Sequence, residues 1–152
     1  MEQVKEEVED LTAPEKPLEV QLEEIVPYIC PGQDHKTIES GLKAVVALIK
    51  EKLKTLTPDE YPSCLRRFRA FPSLTSRIIH FYDLNYSGSP ALHSCAAQCI
   101  AHLMAEGREA VYLFGTVERQ QLYLSDAASQ DIKLLSIIDE RRIGIISQRN
   151  LR

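Results

Sequence analysis

His93, Cys95, Cys99 and His102 fall within ten consecutive positions. Imidazole and thiolate together are the groups that bind zinc or build a nucleophile with its base. Helical spacing decides which of them meet. At about 100° per residue, taken from Cys95, Cys99 lies near 40° and His102 near −20°, while His93 points away from that strip. A zinc site on one helix needs further ligands from a second segment, and no second Cys/His cluster has the usual spacing. A catalytic thiolate needs a base held by a third group, which mid-helix cysteines on an apolar margin lack. The sequence also has no Gly-rich phosphate loop, nucleophile elbow or paired acidic motif. The expectation is small-residue packing here, with no catalysis, metal, cofactor or small-molecule substrate.

The second chemical signal is basic. Residues 62–82 hold Arg66, Arg67, Arg69 and Arg77 and no acid, with His80, Phe68, Phe71, Phe81 and Tyr82 among them. Guanidinium groups interleaved with aromatics suit phosphate, RNA or an acidic peptide. Four arginines are few for nucleic acid, so an acidic protein partner is the stronger expectation. A solvated helix face over core aromatics is the plain alternative.

The net charge of −4 is unevenly spread. Residues 1–25 carry nine acids and two bases, a net −7, which leaves +3 for the rest. Residues 1–17 hold too little apolar surface to fold alone and are expected to be a flexible acidic arm, able to fold back onto the arginines. Residues 18–152 are expected to form one helical domain. The acidic N-terminus lacks the basic-then-apolar order of a signal peptide, and no apolar run approaches the roughly 20 residues of a membrane span. An intracellular protein of the cytoplasm or nucleus is expected, with Cys30, Cys64, Cys95 and Cys99 as reduced thiols.

These residues must be positioned by helices. Gly is scarce at six residues, and strand-rich domains usually need more turn glycines. At 38–56, Ile38, Leu42, Val45, Val46, Ile49, Leu53 and Leu56 share one face, with Asp34 or Thr37 as cap. Further helices are expected at 18–30 (disturbed by Pro27), 62–71, 72–84, 90–106, 108–114 and 116–128, with 85–88 a loop. The tail is less regular: 131–141 reads as helix, and 142–147 is ambiguous between helix end and strand. The last three residues form no polar cap, which implies a shortened array or an open end that a partner covers. The fold class is all-α, six to eight helices in an irregular stack of helical hairpins. Ala96 and Ala97 are expected at a close helix contact.

Two segments, GLKAVVALIKEKL…FRAFPSLTSRIIHFYDL and LHSCAAQCIAHLM…REAVYLFGTVERQQLYLSD, resemble a pair of armadillo-type repeats over residues 37–126. Ala44, Val45 and Leu48 match Ala96, Ala97 and Ile100 at a spacing of 52, and Ala70 matches Gly115 at 45. These spacings lie on the long side of the family's roughly 42-residue period. The resemblance implies a non-catalytic scaffold or adaptor whose third helices line a peptide groove. Arg77, His80, Arg119 and Gln120 would then face that groove.

Overall fold

The computed structural model of the chain describes residues 16–84, 90–104 and 107–129. The expectations for the arm before residue 16, the loop at 85–88 and everything after Ser129 lie outside those residues. Among the described residues there are seven α-helices and two short 3-10 turns, and no strand.

Helix α1, Leu18–Ile25, buries Leu18 and Leu22. It stops five residues before the expected end because Pro27 has no N–H to donate and its ring crowds the preceding turn. The chain continues as a 3-10 turn, Val26–Tyr28, and Ile29 enters the core. Helix α2, His35–Lys54, starts where Asp34 accepts the Thr37 N–H at 2.7 Å. Its buried face holds Ile38, Gly41, Leu42, Val45, Leu48, Ile49 and Leu53, the three-and-four spacing of an amphipathic helix. Gly41 is where the 3-10 turn lies against α2. A Cβ there would sit 2.8 Å from Ile29 Cγ1 and 3.0 Å from Tyr28 Cβ.

Helix α3, Tyr61–Ala70, follows a 3-10 turn at Pro58–Glu60 that Thr57 and Glu60 close as a reciprocal cap. Helix α4, Leu74–Asp83, is entered through Ser73, whose φ of 68° is left-handed. Helix α5 is Pro90–Leu103 and α6 is Gly107–Phe114. Gly115, at φ 89°, then makes the turn, and Thr116 accepts the Arg119 N–H at 3.2 Å to start α7, Val117–Ala128.

Helix α5 is the centre of the packing. Helices α2, α4 and α7 lie on it, and α3 touches it. It has no polar face in the usual sense, because Leu92, Cys95, Ala96, Ala97, Cys99, Ile100, Ala101, His102 and Leu103 are all buried. Small side chains let the helices approach closely. The Cys99 thiol reaches the α2 backbone, donating to the Leu42 carbonyl at 3.0 Å. Phe68, Phe81 and Phe114 are fully buried in the same core. Each such side chain contributes about 1.5–3 kcal/mol of burial.

Candidate functional site

Three arginines of the basic segment are occupied within the chain. Arg69 on α3 is the most deeply held, with its side chain only 5% exposed. Its Nε and Nη2 donate to the Glu109 carboxylate at 2.8 and 3.2 Å, and its Nη1 donates to the Leu103 carbonyl at 3.0 Å. One guanidinium thus closes the C-terminal end of α5 and ties it to α6. The bond from Arg69 comes first among the causes that hold the Glu109 carboxyl below its ordinary range, against the opposing effect of burial.

Arg77 on α4 donates through Nη1 to the Val26 and Ile29 carbonyls at 3.2 and 3.5 Å, and to Cys30 Sγ at 3.0 Å. It pins the 3-10 turn. Arg67 makes a two-pronged bond to Glu19 of α1, at 3.1 and 2.9 Å, in the open. Arg66 is 72% exposed and 3.8 Å from Glu109. His80 is exposed, its ring edge-on to Phe81. The arginines of a segment without acids in sequence therefore meet two acids in space, Glu19 and Glu109, and Arg66 is the most exposed of those that do so.

Arg119 and Gln120 belong to the α7 start. Gln120 Nε2 donates to the Gly115 carbonyl at 2.9 Å. Arg119 pairs with Asp83, donates from Nε to Tyr123 Oη at 2.8 Å, and lies 5.2 Å from the Tyr123 ring centroid. It is one edge of a polar cluster that joins α4, α5 and α7. Tyr82 donates its hydroxyl to Asp126 and stacks on His93 at 4.3 Å. Burial first, and then the bond to Asp126, push the Tyr82 phenol well above its ordinary value. His93 Nδ1 donates to the Tyr82 carbonyl at 3.1 Å, and Nε2 faces Asp126 Oδ2 at 3.3 Å. Both ring nitrogens thus face oxygens. Each polar group here holds another, so the cluster's physical effect is to fix α7 on α4 and α5.

Sequence reasoning did not name Asp83, Asp126 or Glu109, whose partners lie 33 to 44 positions away. No local pattern signals such pairs. The thiols are quiet: burial pushes Cys64, Cys95 and, most of all, Cys99 above the ordinary thiol value. His93 leaves the cysteine strip for Asp126, and His102 is buried beside Cys99 and Leu103 on α5. Among the described residues no group of three or more His, Cys, Asp or Glu is placed to hold a metal. None of the described helices is long and apolar enough to cross a membrane.

The last two described helices have a different character. Of the seven large apolar side chains exposed among the described residues, four belong to residues 107–129: Val111, Tyr112, Val117 and Leu122. Tyr112 is 87% exposed, and the other three are roughly half exposed. Along α7 the exposed positions Val117, Gln121, Leu122 and Ser125 form one face whose single charge is Glu118. On α6, Val111 and Tyr112 are exposed one turn beyond the exposed Arg108, and exposed large apolar side chains that are not scattered singly along the chain mark candidate contact surfaces.

Compared with protein-family models, with curated proteins and with solved structures, the chain finds no match.

Proposed function

We propose that this chain is a non-catalytic protein-binding module, a scaffold or adaptor of an intracellular complex, built from armadillo-like helices. The observation that carries the reading is the exposure of four large apolar side chains, Val111, Tyr112, Val117 and Leu122, on the consecutive helices α6 and α7. An aromatic side chain left in water beside aliphatic neighbours is the kind of anchor that protein interfaces bury.

The helix order supports the armadillo-like part. Two successive triplets, α2-α3-α4 and α5-α6-α7, each begin with their longest helix, and the long helices pack on one another. Val45 and Leu48 are buried in the first, as Ala97 and Ile100 are in the second. The third helix of each triplet is entered through a left-handed residue, Ser73 or Gly115. These stand 42 positions apart, so Ser73, not Ala70, is the conformational counterpart of Gly115. Arg66 and Arg67 on α3 would steer an acidic partner and affect its association rate more than its affinity.

The alternative, a nucleic-acid module on residues 66–77, requires Arg67, Arg69 and Arg77 to leave the bonds they hold. The two readings separate on salt. Partner capture on immobilised chain should survive 0.5 M salt and be lost in a Tyr112→Asp, Leu122→Asp variant of unchanged helicity. Binding of labelled single-stranded RNA that is tight at low salt and falls steeply with log salt would instead favour the alternative. Equal capture by the wild type and the variant would refute the assigned surface.

A further inference from the structure

Helix α2 carries a row of lysines that the α6–α7 contact does not use. At about 100° per residue, Lys36, Ser40, Lys43, Ala47, Lys50 and Lys54 fall within about 80° of one another. All six are exposed. The row runs about 27 Å along the helix, opposite the face that packs on α5 and the first 3-10 turn. Two acids, Glu39 and Glu51, lie about 60° to either side of it, and Glu39 is already bound to Lys43 at 3.0 Å.

Lys36, Lys43 and Lys50 stand seven residues apart, so their charges recur about every 10.5 Å and drift by only about 20° per step. A second helix with acids seven residues apart repeats at the same interval, and three pairs then form in register. Ser40 and Ala47 are small enough to let another backbone come close, and lysine stems can lie along it. One exposed ion pair contributes little, so discrimination has to come from the matched row. A phosphate polymer fits less well, because the row has no arginine and no aromatic ring for bases to stack on. A lipid surface fits less well too: none of the large apolar side chains exposed among the described residues belongs to α2.

We propose that the α2 row is a docking ridge for an acidic helix of another protein, one whose carboxylates recur every seven residues. The ridge and the α6–α7 contact lie on different helices, so either assignment stands if the other fails.

The test uses the full chain and two labelled 21-residue helical peptides of identical composition, read by fluorescence anisotropy. One has glutamate at the first and fifth positions of three successive heptads. The other spreads the same glutamates evenly around the helix. At 50 mM salt the aligned peptide should bind at least about ten-fold tighter than its isomer, and should weaken several-fold at 300 mM as screening shortens. Lys36→Glu with Lys50→Glu should remove that preference at unchanged helicity. The same charge change off the ridge, at the exposed Lys16 and Arg108, should leave it in place. Equal binding of the two peptides, or none up to 1 mM, overturns the proposal. So does an equal loss in the off-ridge variant, which would reduce the effect to net charge. A 20-nucleotide single-stranded RNA, or vesicles with 30% phosphatidylserine, that bind tighter than the aligned peptide and are released by the two α2 reversals would assign the ridge to phosphate instead.

Discussion

Replacing Arg69 by Met keeps most of the buried stem and removes three hydrogen bonds from one point. The Leu103 carbonyl loses its side-chain donor at the end of α5, and a buried acceptor left so costs about 1–3 kcal/mol. Glu109 loses its principal partner, and breaking a buried pair costs about 3–5 kcal/mol. That upper range does not apply in full, because Glu109 is 31% exposed and Arg66 stands 3.8 Å away. Water and a second guanidinium both compensate, so the expected total is about 2–4 kcal/mol. At about 3 °C per kcal/mol for a chain of this size, Tm should fall by roughly 6–12 °C. The loss should also depend on pH. Arg69 holds the Glu109 carboxyl below its ordinary value of 4.5. A depressed carboxylate contributes fully above its unfolded value, and the contribution is lost as pH falls through the folded one. The gap between wild type and Arg69→Met in urea unfolding should therefore be widest near neutrality and narrow below about pH 4. A variant within 0.5 kcal/mol of wild type, or a gap independent of pH, would refute the assignment of Arg69 as the tie between α3, α5 and α6.

Gly41→Ala gains about 1 kcal/mol of helix propensity but drives a methyl into Ile29 and Tyr28. A net loss of about 1–2 kcal/mol is expected, and a stabilised variant in denaturant unfolding would show that the 3-10 turn gives way easily. Ala97→Leu should overpack the α5 core and cost about 1–3 kcal/mol; a neutral result would place that face in solvent. Tyr82→Phe removes the bond to Asp126 and should cost about 1–2 kcal/mol. Because the Tyr82 phenol is raised above 10, its contribution is complete below about pH 10 and lost as pH climbs past that, so the variant gap should close in strong alkali. A gap that persists there would show that the phenol ionises no differently in the folded chain.

Helix positions were legible because each depends on neighbours three or four residues away. The apolar stripe of α2 and the capping Asp34 are local signals, and α2 differs from its expected span by a few residues at each end. Pro27 was read as a disturbance, and it becomes the change from α1 to a 3-10 turn. The arginines were not legible in the same way. Whether Arg67, Arg69 and Arg77 face solvent is decided by Glu19, Glu109 and the Val26 carbonyl, 48, 40 and 51 positions away. Their charge reads as a patch in sequence and as a set of internal ties in space. The left-handed entry to α4 was hidden for a different reason: it uses Ser73, a residue type that seldom adopts that conformation. Gly115, where the residue type announces the turn, falls between the expected helices 108–114 and 116–128.

The central claim is that the α6–α7 face meets another protein. Incorporating a photoreactive benzoylphenylalanine at Tyr112 in living cells tests it directly, with the same group at Tyr28, an exposed position on the first 3-10 turn, as control. The account predicts one discrete protein adduct that recurs at position 112 and is missing at position 28. No adduct at position 112, or the same adducts at both positions, would contradict it.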